Sequence, residues 1–405
     1  MSKVCVIGGG ASGLMAAYAA GMCGHDVTLL EKNEKLGKKI YITGKGRCNF
    51  TNACEPEDFL KNVVRNPKFL YSAIYTLTPD AVIDFFESFG IPTKVERGNR
   101  AFPESDHASD ITRGLEKACK SVGVRIVLNC EVKGISDLGD GQPKKVTTGG
   151  GVKEYDAIII ATGGLSYKTT GSTGDGLEWA KSLGINVTPT RPSLVPFNVK
   201  EEYIKSMQGL SLKNVTLTIK DGDKKVYEDF GEMLFTHFGV SGPLVLSASA
   251  VCPVKPLSAF IDLKPALSTE ELDARILRDI EAAKNKQLKS ILSGLLPSKM
   301  VDVFAEVFNL DEELPVNSLT KEMRKRMVDG LKAFPFAING LRDYNEAVVT
   351  CGGVDVKEID SSTMEVKKHP GIYFTGEVLD LDAYTGGFNL QIAFSTGYLA
   401  GISVK

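Results

Sequence analysis

The chain is poor in the residues that build metal sites. It has four histidines and one tryptophan, and its eight cysteines never form a C-x-x-C pair. No zinc-ligand spacing is therefore legible, and no metal is expected. The scattered thiols read as reduced cysteines of a cytoplasmic protein, not as a disulfide framework. No apolar run approaches the roughly 18 residues that a membrane-spanning helix needs. The chain reaches Gly8 after a very short apolar stretch, so no signal peptide is expected. Basic residues number 48 and acidic residues 50, a net charge of −2. With no basic excess to hold a polyanion, nucleic acid is not expected as the main partner. What is there, 43% hydrophobic and 24% charged residues over 405 positions, is ordinary for a soluble globular chain and long enough for two or three domains.

Hydrophobic patterning divides the chain. Residues 3–31 read as strand, glycine turn, helix and strand: Lys3 to Ile7 is apolar on both faces, as a buried parallel strand must be, and Asp26 to Leu30 is its partner. Residues 57–123 are helical in pieces, Val124 to Val132 is expected as one strand, and Tyr155 to Ala161 as another. From about residue 192 the pattern turns antiparallel, with Val215, Leu217 and Ile219 alternating before a turn at Asp221-Gly222-Asp223. Residues 268–332 switch to helices, opened by a capping box of Ser268 and Glu271. Three apolar stripes predict three helices there. Gly371 to Gly376 predicts a last parallel strand, and the stretch from Tyr384 to Gly401 turns into a final helix. The domains expected are a cofactor domain over 1–191 and 356–405, a β-barrel over 192–267 and 333–355, and a helical insert over 268–332.

Four motifs carry the chemistry. Gly8, Gly10 and Gly13 give G-x-G-x-x-G between a buried strand and a helix, with Ala11 and Ser12 at the helix start and Glu31 ending the next strand. The glycines allow a tight turn, close approach of a pyrophosphate and helix–strand packing, while the carboxylate suits a ribose hydroxyl. The competing reading is a turn that serves packing alone. Gly37 to Asn52 follows. Within it Gly44 and Gly46 permit close approach to a flat ring, Arg47 suits phosphate or an anionic flavin, and Asn49 offers neutral hydrogen bonds. Cys48 and Cys54 are spaced C-x5-C, so a redox disulfide is not expected. Thr162-Gly163-Gly164 closes a buried strand. The loop Gly171 to Gly176 lacks a directly preceding strand, so no second complete fingerprint, and no dedicated NAD(P)H domain, is expected. In the fourth motif, Gly376 to Asn389, Glu377 suits ribityl hydroxyls, and Gly386-Gly387 opens a helix whose N-terminus favours negative charge on a reduced flavin. Lys32, Lys39, Thr43, Cys48, Val132, Phe388 and Asn389 complete the expected cofactor contacts. Arg47, Asn49 and His237 are the candidate catalytic groups. His237 lies in Leu234 to Pro243, where an ordinary structural histidine is the competing reading, and Arg100 with Phe102 and Pro103 is weighed as a pocket lining.

At Gly37–Asn52, Leu234–Pro243 and Gly376–Asn389 the chain resembles bacterial flavoproteins described as aminoacetone-oxidase-like or NAD(FAD)-utilising dehydrogenase-like, and it is similar to 3-dehydro-bile-acid reductases of gut anaerobes. The resemblance covers essentially the whole chain. It implies an α/β fold: an FAD-binding, Rossmann-like (two-dinucleotide-binding) domain from both chain ends, with an inserted antiparallel β-barrel that itself carries a helical insert. The favoured expectation is an FAD-dependent oxidoreductase moving hydride through flavin N5. It would reduce an activated C=C bond of a small hydrophobic substrate, seated between the FAD domain and the barrel, with NAD(P)H as transient donor. Three alternatives stay open: an amine or amino-acid oxidase passing electrons to oxygen, an RNA-binding or RNA-modifying flavoprotein, and a flavin-binding protein without turnover.

Overall fold

The computed structural model describes residues 1–139 and 142–405. It divides into two units, Met1–Ser193 with Asp343–Lys405, and Leu194–Arg342.

The first unit is built on five parallel strands: β1 (Lys3–Ile7), β2 (Asp26–Leu30), β3 (Arg125–Val127), β4 (Ala157–Ile160) and β5 (Ile372–Phe374), in the spatial order β5-β4-β1-β2-β3. Strands β1 and β4 lose their water on both faces, which is why they read as continuous apolar runs. Helix α1 (Ala11–Met22) joins β1 to β2, and the last helix, α2 (Phe388–Ser403), packs along it. That packing is close because of glycine: a Cβ on Gly397 would lie 2.3 Å from the Ser12 carbonyl oxygen, and one on Gly401 2.5 Å from that of Ala16. The two ends of the sequence thus share one core.

The expected strand from Val124 to Val132 is two. Strand β3 ends at Val127, Asn129 turns the chain in the left-handed region at φ 53, and Val132–Ser136 begins a separate antiparallel sheet. Arg100–Pro103, weighed from the sequence as a pocket lining, is a strand that pairs with Thr93–Glu96 and Thr51–Asn52.

The second unit is a closed six-stranded antiparallel barrel ordered Phe197–Val199, Gly239–Ser241, Lys224–Thr236, Ser211–Asp221, Leu257–Asp262 and Phe334–Leu341. Val215, Leu217 and Ile219 point into its core, as their alternation requires. Helices Thr269–Ala282, Leu288–Leu295, Ser298–Val307 and Lys321–Lys332 lie between its last two strands in sequence. The first opens with both hydrogen bonds of the Ser268–Glu271 capping box. The fourth escapes the apolar pattern because charged residues dominate it, leaving a thin face of Met327, Val328 and Leu331. Helix Pro243–Val251 was also not legible in the pattern. The chain re-enters the first unit at Asp343, earlier than the 355/356 division expected, since Val349–Cys351 pairs with Arg191–Ser193 inside that unit. The expected class, α/β with a parallel sheet from both ends and an inserted barrel bearing helices, agrees with this architecture.

Candidate functional site

Of the three fingerprint glycines in the first turn, two are packed and one is open. A Cβ on Gly8 (φ +107) would sit 2.5 Å from the Ala161 carbonyl oxygen, and one on Gly13 1.9 Å from that of Gly8, whereas a Cβ on Gly10 would meet nothing within 4 Å. Helix α1 begins at this open face with no side-chain cap and no acidic residue in its first turn. Its leading N–H groups, those of Ala11, Ser12 and Gly13 among them, have no intrahelical partner and suit an anion. This open cradle at an uncapped helix start fits a dinucleotide pyrophosphate. Glu31 is buried; one of its oxygens accepts from Gly9 N at 2.7 Å and the other from Asn33 N and Nδ2 at 2.8 and 2.7 Å. A carboxylate accepts about four hydrogen bonds, so it has capacity left for a ribose hydroxyl.

Lys32 turns away to the loop at 171–176, donating to Thr173 at 2.5 Å and Asp175 at 2.8 Å. The turn Thr162-Gly163-Gly164 is packed tightly. A Cβ on Gly163 would lie 2.8 Å from Ser172 Oγ and one on Gly164 2.4 Å from Thr350 Oγ1, while Thr162 Oγ1 is buried without a hydrogen-bond partner. Val132 is buried at the start of its strand.

The second and fourth motifs meet. Lys39, on the short helix Lys38–Ile42, donates to Glu377 at 2.8 Å and Ser166 Oγ at 2.9 Å. Glu377 also accepts from Ser166 Oγ at 2.6 Å and Thr350 N at 2.9 Å. Burial pushes its carboxyl up, but the Lys39 ammonium and these donors outweigh it and hold the group below the usual carboxylate range. Glu377 was read as a ribityl acceptor; most of its acceptor capacity is spent on the chain itself. After Lys39, Thr43 Oγ1 donates back to the Lys39 carbonyl at 2.9 Å, and Gly44, Lys45, Gly46 and Cys48 all take left-handed backbone angles. A lysine and a cysteine held there store strain, which clusters at binding loops.

Two candidate catalytic groups prove to be engaged by the fold. The Arg47 guanidinium pairs with Glu96 at 2.5 Å and Asp106 at 2.6 Å and lies 4.3 Å from the Phe102 ring centre. The hydrogen bonds it donates to those carboxylates hold it charged more firmly than a free arginine. Asn49 Nδ2 donates to the carbonyls of Thr51 and Ala101 at 2.8 and 2.9 Å. The Cys48 thiol is buried, which pushes its pKa up and leaves it a poor nucleophile. His237 lies in the barrel unit, exposed beside Phe238 with ring centres 5.0 Å apart.

The C-terminal turn is held by residues far away in sequence. Gly376 (φ +74) sits against Ser12, whose hydroxyl donates to Thr375 Oγ1 at 2.7 Å. Gly386 (φ +124) and Gly387 (φ +96) open helix α2, which has no side-chain cap and no acid in its first turn. A Cβ on Gly387 would lie 2.3 Å from the Thr51 carbonyl oxygen. Thr51 Oγ1 donates to Gln391 at 2.6 Å, and Asn52 Nδ2 donates to the Gly386 carbonyl at 3.1 Å. Phe388 is buried edge-on to Phe59, with centroids 5.3 Å apart. Asn389 folds back onto Ala383 and Tyr384, so its amide braces the turn.

Ser166, Thr350, Gln391 and the carboxylates Asp380 and Asp382 join these turns without being expected from the sequence. Asp380 takes both forks of Arg65, at 2.6 and 2.7 Å. Asp382 is fully buried, accepts from Ser193 Oγ at 2.9 Å, and has its other oxygen unpartnered. Burial pushes its pKa up to about 6. The D-x-D spacing at 380–382 was the one visible signal. Among the described residues no cluster of metal-ligating side chains occurs, and no helix is long and apolar enough to cross a membrane.

Residues 2–403 match the family of the HI0933-like protein Rossmann domain. A "Ribosomal RNA dihydrouridine synthase" of Haemophilus influenzae is 35% identical over 409 residues, spanning 100% of this chain and 98% of that protein. A "3-dehydro-bile acid delta(4,6)-reductase" of Clostridium scindens is 31% identical over 415 residues, spanning 99% of this chain and 98% of that protein. Among solved structures, the fold resembles a 3-ketosteroid-delta4-(5alpha)-dehydrogenase from Rhodococcus jostii with a TM-score of 0.55 at 15% identity, covering 100% of this chain and 96% of that one. With this match and these relatives, the chain is an FAD-dependent oxidoreductase.

Proposed function

This chain belongs to the family of the HI0933-like protein Rossmann domain, and from that premise we propose that it reduces a carbon–carbon double bond conjugated to a carbonyl. The two full-length relatives share that step in their names. Dihydrouridine is uridine with the C5–C6 bond, conjugated to the C4 carbonyl, saturated. A delta(4,6)-reductase of a 3-dehydro acid saturates bonds conjugated to a 3-oxo group. The observation that carries the cofactor assignment is the open space at Gly10 on an uncapped helix beside Glu31.

Bound FAD supplies hydride transfer at N5. The chain's part is to bind and orient. Gly10 and the first-turn N–H groups of α1 would hold the pyrophosphate, and Glu31 a ribose hydroxyl. Gly44 and Gly46 would let the backbone approach the ring. The start of α2 at Gly386-Gly387 would stabilise negative charge on its pyrimidine edge. Glu377 with Lys39 would position the neighbouring turns. NADH or NADPH as electron source and a cytoplasmic location belong to the same reading.

A uridine of ribosomal RNA is the favoured substrate, supported by the relative at 35% identity across the whole chain. A small hydrophobic enone is the second reading, supported by the relative at 31%. The net charge of −2 argues against RNA held by bulk electrostatics alone, so a local cationic element is needed. The test is to mix FAD-loaded protein with NADH and NADPH in a stopped-flow spectrometer, then supply unmodified ribosomal RNA or a 3-oxo-diene steroid acid. Rapid flavin bleaching and re-oxidation by one acceptor is expected. Bleaching by an amine, with re-oxidation by oxygen alone, would replace this reading with the oxidase.

A further inference from the structure

A cationic element stands on the same unit as the glycine turns. Strands Thr93–Glu96 and Arg100–Pro103 form a hairpin whose tip is Arg97-Gly98-Asn99, with Gly98 at φ 77 and Asn99 at φ 57. The hairpin's outer partner is Thr51–Asn52, the segment that presses on Gly387. One amide links the tip to the C-terminal turn: Asn52 Nδ2 donates to Gly98 O at 3.0 Å and to Gly386 O at 3.1 Å. Ala53 N secures the tip further through Asn99 O at 2.7 Å. The tip therefore stands one side chain away from the start of α2.

The charges on this hairpin do not balance. Glu96 on the hairpin and Asp106 just beyond it are divided among Arg47, Lys94 and Arg100, and Arg97 takes no share of them. Both oxygens of Glu96 accept from Arg47, at 2.5 and 3.3 Å. Asp106 is divided between Arg47 and Lys94, at 2.6 and 2.7 Å. Arg100 reaches Glu96 only at 4.0 Å, and its Nε donates to the Arg97 carbonyl at 3.1 Å. Among the described residues no carboxylate pairs with Arg97, and both arginines are exposed. The next acid along the strand, Glu104, follows Pro103 at the far end, about 13 Å from Arg100 at strand spacing. Two exposed guanidiniums with unspent donors, on one hairpin turn and tied through the Arg97 carbonyl, suit an oxyanion.

We propose that Arg97 and Arg100 bind an oxyanion of the substrate, an RNA phosphodiester or a steroid carboxylate, and so position the reducible ring beside the C-terminal glycine turn. The proposal rests on the reading of the chain as a C=C reductase. It makes the two arginines positioning residues that act on affinity rather than on chemistry.

The test uses FAD-loaded protein, wild type and with Arg97→Ala and Arg100→Ala combined, and three probes: a uridine-containing single-stranded RNA oligonucleotide, cholate, and the uncharged 4-androstene-3,17-dione. Binding is followed as the salt concentration is varied. For RNA, losing two phosphate contacts is expected to lower the log–log salt slope by about 1.4 and to weaken binding at low salt at least tenfold. Flavin content and spectrum stay unchanged, the neutral steroid is unaffected, and the double lysine variant restores much of the salt slope. A loss confined to RNA assigns the phosphodiester, and one confined to cholate assigns the carboxylate. Wild-type affinity and salt slope in the double alanine variant, equal loss on the neutral steroid, or no binding of either anion to wild type overturns the proposal. Because these readouts need no turnover, failure of the C=C reductase reading shows separately, in the flavin bleaching assay.

Discussion

Gly8–Gly13 and Gly386–Gly387 both open apolar helices that lack a side-chain cap and any acid in the first turn. They are held differently. The first turn is braced largely within its own strand–helix–strand unit, where Gly13 packs on Gly8 and Glu31 accepts from Gly9 N at 2.7 Å, with Ala161 and Thr375 adding distant contacts. The second is braced by Thr51 and Asn52, more than 300 positions earlier in the chain. A local brace leaves its trace in a short fingerprint, whereas a distant one leaves only the glycines. That difference sorts what the residues alone revealed.

Substitutions can break the comparison or sharpen it. The largest effect is expected for Gly13→Val, whose Cβ would fall 1.9 Å from the Gly8 oxygen. It should cost about 3 kcal/mol or more, visible as loss of soluble folded protein or a collapse of the urea midpoint. Gly387→Ala comes next. A left-handed backbone at φ +96 and a contact of 2.3 Å to Thr51 O together should cost about 2–3 kcal/mol and weaken FAD binding. If the two variants differed greatly, with Gly387→Ala harmless, the second turn would be looser than its packing implies.

The third effect, no larger than the second, depends on pH. Asp382 lies between the last parallel strand and the Gly386 turn, and burial raises its pKa to about 6, against about 3.9 in the unfolded chain. The native state therefore holds a proton that the unfolded state has already released. The stabilising contribution is complete below about pH 3.9 and is lost as pH rises through about 6. Asp382→Asn keeps the shape without the charge. Its stability should equal that of wild type near pH 3.5 and exceed it near pH 8 by on the order of 2–3 kcal/mol, read as a thermal midpoint that is unchanged at the lower pH and raised at the higher. A pH-independent gap between the two midpoints would remove the buried charge from the account.

Much of the fold was legible because its signals are local. The parallel strands β1, β2 and β4 are short and, past their first residues, mostly apolar, the barrel strands alternate, and Ser268–Glu271 is a capping box. The helix Lys321–Lys332 was missed because its charged residues hide a narrow buried face. The run from Val124 to Val132 was joined because nothing in an apolar stretch marks a left-handed asparagine. In the site, the fingerprint glycines and Glu31 were read from spacing. Arg47 was read as a cofactor cation because its partners, Glu96 and Asp106, lie about 50 and 60 positions on, across a hairpin that no local pattern ties to it. The glycine turn around Glu377 is visible in the sequence, whereas its engagement by Lys39, 338 positions away, has no local signal.

The central claim is that the open face at Gly10 is where a dinucleotide lies, and Gly10→Val tests it with the least disturbance. The protein offers no atom within 4 Å of the added Cβ, so the FAD-free variant should melt at the wild-type temperature. Titration with FAD should nevertheless show binding weakened about 100-fold or more, roughly 3 kcal/mol. If the variant melted normally and bound FAD as tightly as wild type, the cofactor would lie elsewhere and the account would fail.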